Sequence, residues 1–232
     1  MKNSVILFFV FATSSLIFSQ KEQRTGRQPN SFWVQLGTGI IYAPRETAGV
    51  VITGTPYVNK NFADVNVAQL DLTAKMRYNV YEDEFEFITP KNDTLILDKK
   101  ETFANLEFID TKTKYFLTNY TNEDNRIVLG YLIDLYQKGN FGLLKKNNIL
   151  IQEEKVAKTT LEANMPAKYY NASSTYFLKN DKNFIKFPES KKQLVKIFPD
   201  KKETIEKFLK ENKIDFDITE EKIKIVDFLS TL

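Results

Sequence analysis

The chain has 232 residues, 42% hydrophobic and 27% charged, the balance of a globular protein with a substantial core. Its net charge is only +3, and 28 of its 33 basic residues are lysine (33 less five arginines), which argues against a nucleic-acid surface read by arginine forks. It contains no cysteine and no histidine, which excludes disulfides, thiolate nucleophiles and Cys-based zinc sites and removes the commonest general base and transition-metal ligand.

Met1 to Ser19 reads as a secretory signal peptide: Lys2 supplies the positive end, Val5 to Phe18 the apolar run, and Ser19-Gln20 the cleavage point. An uncleaved anchor is the rival reading, but the run falls short of the roughly 18–20 residues that span a bilayer. The mature chain then starts near Gln20 with no transmembrane span, and no cysteine follows to carry lipid. Residues 20–31 are polar and aperiodic, a flexible leader. Phe32 to Val67 suggests short strands and loops; Gly37-Thr38-Gly39 lacks the third glycine of a dinucleotide fingerprint, and no Lys-Ser or Lys-Thr follows Gly54.

From Leu70 to Val80 apolar and polar residues alternate, and alternation resumes at Phe85 and Phe87 after Tyr81-Glu82-Asp83-Glu84. This spacing predicts a hairpin with Val80 opposite Phe85 and Tyr78 opposite Phe87. Further strands are expected at Thr94–Leu97, Phe103–Ile109 and Tyr115–Thr118. A second hairpin pairs the Ile127, Leu129, Tyr131, Ile133, Leu135 face with Phe141 and Leu143 around Lys138-Gly139-Asn140. Ile149–Ile151 adds a strand, Glu153–Asn171 is ambiguous between helix and loop, and Thr175–Lys179 with Phe184–Phe187 forms a third hairpin.

At Ser190 the period changes to that of a helix. Ser190 and Gln193 form a capping box, Pro199 stops the helix, Asp200 caps the next, and Asn212 is its left-handed stop. A last segment starts at Thr219 with Glu220 and Glu221 in its first turn, which favours helix, although alternation from Lys222 to Ile225 leaves a strand open. The fold class is therefore α+β: a mostly antiparallel β region at 32–187 and two or three short helices at 188–232 packed on it.

Arg77–Ile88 (RYNVYEDEFEFI), Gly130–Lys146 (GYLIDLYQKGNFGLLKK) and Phe198–Lys213 (FPDKKETIEKFLKENK) resemble, in that order, the better-kept blocks of uncharacterised exported proteins of Bacteroidota. The resemblance implies an envelope location, periplasmic or outer, and a shared fold; it carries no activity. The QKGNFGLLKK hairpin is also similar to a single tryptophan–glycine repeat unit with Phe141 in place of the tryptophan.

Glu82, Asp83, Glu84 and Glu86 form the densest acidic group, readable as a calcium site or as a solvated turn facing Lys75 and Arg77; Asn122-Glu123-Asp124-Asn125 is a second such cluster. Neither has the spaced ligands and central glycine of a calcium loop. Asn92, Asn119 and Asn171 begin glycosylation tripeptides, relevant only in a eukaryote. No serine is followed three positions later by lysine, as a serine–lysine nucleophile pair requires. Tyr81–Asp124 carries eleven acids against five lysines and Lys179–Lys213 eleven lysines against six acids, either an internal attraction or a two-ended docking surface.

The sequence assigns no catalytic, cofactor or metal residue. It points to a non-catalytic exported protein that binds another envelope protein, with no nucleic-acid partner. The alternatives are a glycan- or peptidoglycan-binding module using Tyr115, Tyr120, Tyr169, Tyr170 and Tyr176, and a hydrolase using two carboxylates.

Overall fold

The computed structural model describes residues 52–122, 124–159 and 162–232. The signal-peptide and leader readings, and the short strands expected before Ile52, lie outside these residues. The described chain is α+β, with ten strands and three short C-terminal helices. The strands are β1 Ala63–Val67, β2 Leu72–Asn79, β3 Glu84–Ile88, β4 Thr94–Ile96 and β5 Asn105–Phe108, followed by β6 Lys114–Thr121, β7 Ile127–Lys138, β8 Phe141–Gln152, β9 Lys168–Asn180 and β10 Asn183–Lys186. The helices are α1 Lys191–Ile197, α2 Lys202–Asn212 and α3 Thr219–Leu229. One sheet runs in the order β10-β9-β8-β7-β6-β5-β1-β2-β3-β4, every neighbouring pair antiparallel.

The β2–β3 hairpin forms, but two residues out of the expected register: Tyr78 faces Phe85 and Met76 faces Phe87. The Asn79 side chain accepts the N–H of Glu82 at 3.1 Å, and Asp83 adopts φ 57°, so the turn starts at Val80 and ends at Asp83. A slip of two preserves the side-chain face, and Tyr78, Val80, Phe85 and Phe87 all enter the main core. Leu70, expected as the first strand residue, instead ends a 3-10 turn, and Asp71 at φ 48° opens β2. The β7–β8 hairpin closes through two residues where three were expected: Lys138 pairs with Phe141, and Gly139 takes φ 55°, open to glycine at little cost.

Three apolar clusters hold the fold. The largest covers one face of β1–β3 and β5–β7, where the Phe85 ring meets Tyr131 at 4.8 Å and Tyr115 at 5.1 Å between centroids. The second lies between β8–β9 and the helices, with Leu143, Leu178, Leu194, Ile205, Ile225 and Val226 fully buried. The third sits on the opposite face, around Tyr120, Leu132, Leu144 and Phe177, where Phe116 of β6 also meets Phe184 of β10. Gly130 to Ile133 of β7 is therefore buried on both faces.

Ser190 caps α1 by accepting the N–H of Gln193, as its spacing predicts. Asp200 does not cap α2: it lies inside the 3-10 turn Pro199–Lys201, and no side chain caps that helix. The left-handed stop is Lys213, φ 50°, one residue beyond Asn212, whose amide donates to the Phe208 carbonyl at 2.9 Å. The last segment is helix, with Ile225, Val226 and Leu229 buried. The ambiguous stretch from Glu153 has no helix or named strand among its described residues before β9 begins at Lys168.

Candidate functional site

The chemistry of this molecule gathers where the sheet comes apart. β7 and β8 pair from Lys138/Phe141 only as far as Ile133/Lys145. Beyond that point β7 runs back to Ile127 beside β6, and β8 runs on to Gln152 beside β9. Ile127 and Leu129, expected on the buried face, are consequently exposed, Ile127 to 78%. The split also strands the backbone of Tyr131, the next residue that β8 would have paired. Buried backbone groups need partners, and here side chains supply them. The Tyr131 N–H donates to Asp83 Oδ1 at 3.2 Å, and its carbonyl accepts from Lys146 Nζ at 3.3 Å.

Asp83 reaches the gap from the β2–β3 turn and Lys146 from β8. The two form an ion pair, and Lys146 also donates to the Tyr78 hydroxyl at 2.8 Å. The Tyr78 hydroxyl donates to Asp83 Oδ1, and Lys99 Nζ lies 2.9 Å from Oδ2. Four donors therefore converge on one carboxylate, and the three N–H bonds of Lys146 have three acceptors. The space exists because residue 130 is glycine: a Cβ there would collide with Asp83 Oδ2 and lie 3.0 Å from Tyr120 Cε1. The Tyr78 and Tyr120 rings flank the ammonium at 5.5 and 6.0 Å.

Burial pushes the Lys146 ammonium below the usual lysine range, opposed by Asp83. Burial first, then the Asp83 charge, drives the Tyr78 hydroxyl well above 10.0, and the same causes raise Tyr115, Tyr120 and Tyr131. On the far side of the cluster a cleft of about 530 Å³ reaches Lys146, lined also by Tyr120, Asn122, Asn148, Phe177 and Lys186.

The acidic turn is thus only in part the solvated face the sequence suggested. Asp83 turns inward, and Glu86, 2% exposed, binds Arg77 at 2.6 Å and accepts from the Tyr57 hydroxyl at 2.9 Å. Arg77 was anticipated as a partner; Lys99 and Lys146 were not. No three acids gather into a cation site among the described residues. The acidic stretch finds its bases at Arg77 of β2, Lys146 of β8 and Lys99 in the loop after β4, while Lys138–Asp227 ties α3 to the sheet. Glu107 and Asp134 line a second cleft, but Lys114 pairs with both across β5–β6–β7 and stands between them, an ordinary alternation of charge.

Of the five tyrosines weighed for glycan stacking, Tyr115 and Tyr120 are buried, Tyr169 and Tyr176 half-buried, and Tyr170 alone is exposed, at 43%. Lys146 was missed because it stands in the polar run Lys145-Lys146-Asn147-Asn148; the available signal was its position two residues after Leu144, on the same face.

A third feature is the outer edge of β9. Thr53 bridges Lys168 there, donating to Ala167 and accepting from the Tyr169 N–H, and Phe187 donates to the Tyr176 carbonyl. Between these anchors, Tyr170 to Ser174 pairs on its outer side with no strand among the described residues. The chain leaves this edge after Thr53 and crosses to β2, where Tyr57 bridges Asn79. A groove of about 620 Å³ opens behind it, lined by Gly54, Tyr57, Val58, Asn148, Tyr170 and Asn171.

No family model matches the chain, and searches of curated proteins and of solved structures return no similar protein.

Proposed function

We propose that this is an exported, non-catalytic envelope protein that works by holding a partner protein, and that the partner docks as an extended strand on the edge of β9 that no described strand covers. That edge, which pairs with no described strand from Tyr170 to Ser174, carries the reading. A sheet edge presents unpaired N–H and C=O groups, and folds that do not use one guard it. The two terminal strands are guarded: β4 has three residues between Pro90-Lys91 and Lys99-Lys100, and β10 has four flanked by Lys182 and ending on Lys186. The β9 edge, Tyr-Asn-Ala-Ser-Ser, carries neither charge nor proline. Val58, Leu150 and Tyr170 stand exposed around it, at 65%, 47% and 43%. An uncharged strand with alternate apolar side chains fits, since a charge placed there would lose water without gaining a partner.

A catalytic reading finds less support. The Asp83 carboxylate and the Lys146 ammonium are spent on each other and on the split sheet. Glu221 Oε2 is the one buried side-chain oxygen or nitrogen without a hydrogen bond among the described residues. The glycan reading needs several exposed rings on one face; among the described residues the only exposed rings are Tyr170 and Tyr81, and Tyr81 packs edge-on against the half-buried Tyr169.

Asn171→Pro tests the proposal. The Tyr169 N–H points outward to Thr53, so that of Asn171, two residues on, points the same way. The substitution removes an edge donor while sparing the bonds to β8. Crosslinking mature wild-type protein in its native envelope should capture a defined partner that the folded variant loses. A partner held equally by the variant, or none held by the wild type, contradicts the proposal.

A further inference from the structure

We infer that Asp83 and Lys146 are the two halves of an intramolecular amide cross-link: the Lys146 amine condenses with the Asp83 carboxyl, welding the β2–β3 turn to β8 across the split sheet. The inference stands on the geometry of the cluster and is independent of the docking proposal.

Proximity comes first. Lys146 Nζ contacts Asp83 Oδ1, the oxygen bonded to the carbon it would attack, and both side chains are held from several sides. A fixed, adjacent pair needs no encounter, and effective molarities of about 10⁵–10⁸ M are reached in such arrangements. Burial then favours the nucleophile: an ammonium out of water carries a desolvation cost that a neutral amine does not, and the apolar walls around Lys146 lower its ammonium.

The surrounding groups match the charges the reaction develops. The amine lone pair forms the Nζ–Cγ bond. Negative charge gathers on Oδ1, which the Tyr78 hydroxyl and the Tyr131 N–H hold and which stays as the amide oxygen. Oδ2, 2.9 Å from the Lys99 ammonium, collects the two protons that the nitrogen gives up, the second relayed through Lys99, and leaves as water when Cγ–Oδ2 breaks. One ammonium and one carboxylate give one amide and one water, with no oxidant or reductant. The amide keeps one N–H for the Tyr131 carbonyl or the Tyr78 hydroxyl. The cleft at Lys146 gives the water an exit.

A bond between residues 63 apart in the chain would restrain the unfolded state as a disulfide does, in a sequence without cysteine. The test is the intact mass of the purified mature protein, followed by peptide mapping. The expected mass is one water below that of the sequence, with a branched peptide joining the β2–β3 turn to β8. Lys146→Arg should return the full sequence mass. Asp83→Asn should lose ammonia in place of water. A wild-type chain at full sequence mass overturns the inference, and so does a missing water that persists in Lys146→Arg.

Discussion

Lys146 illustrates how one residue can be costly to bury and still hold a fold together. Its ammonium has left water, yet it closes the backbone of Tyr131 and the charge of Asp83 at once. Removing one member of a buried pair costs about 3–5 kcal/mol, and without Lys146 the Tyr131 carbonyl also loses its partner. Lys146→Met should therefore lower the urea midpoint steeply, whereas a loss within about 1 kcal/mol would match a surface pair and contradict this role. Gly130→Ala attacks the same point by volume: its methyl meets Asp83 and the Tyr120 ring, and overpacking of this kind costs about 1–3 kcal/mol. Guanidinium denaturation of the two proteins decides it.

The tyrosines around the cluster set the alkaline limit. Tyr78, Tyr115, Tyr120 and Tyr131 have hydroxyls raised in the fold above the 10.0 they hold when unfolded. The folded state thus binds more protons above pH 10.0, and the stability these groups contribute, complete below that value, is lost as pH rises past it. Phenolate absorbance followed through a pH titration should show them ionising together with unfolding. Smooth titration near 10.0 with the fold intact would refute their burial.

At the scale of elements, alternation is the signal that survives best. The hairpins at Leu72–Ile88 and Ile127–Gln152 were legible because each residue type repeats every second position, and even the two-residue slip at Tyr78/Phe85 kept every side chain on its face. What alternation does not carry is where a strand stops pairing. Nothing local to Ile127 or Leu129 tells that β8 has departed, because that depends on Asp83 arriving from 48 residues upstream of Tyr131. The helix ends were legible to within a residue, apart from Asp200, which the Pro199 turn removes from the capping position. These short helices lean on the sheet. Leu194 and Ile225 are fully buried between α1, α3 and β8–β9, so Leu194→Ala should cost about 2–5 kcal/mol. A calorimetric shift confined to the helices, with the sheet melting unchanged, would show that the block is a separate unit.

For the whole molecule, one sheet serves three cores, and β7 and β8 are the strands the cores share. Where those strands part, the fold places its buried ions, and beside β8 lies the edge of β9 that no described strand covers. The sequence made the layers readable, since burial repeats along the chain, but left the cluster unread, since Asp83 is one acid of four in its acidic group and Lys146 one of 28 lysines. The most direct measurement is amide hydrogen exchange at Tyr131. Protection comparable to Leu132 and Ile133 is expected, and its loss in Asp83→Ala while Leu117 and Leu143 stay protected. Exchange in the wild type as fast as at Ile127 would mean that no Asp83 oxygen holds the Tyr131 N–H, and that the split is open to water.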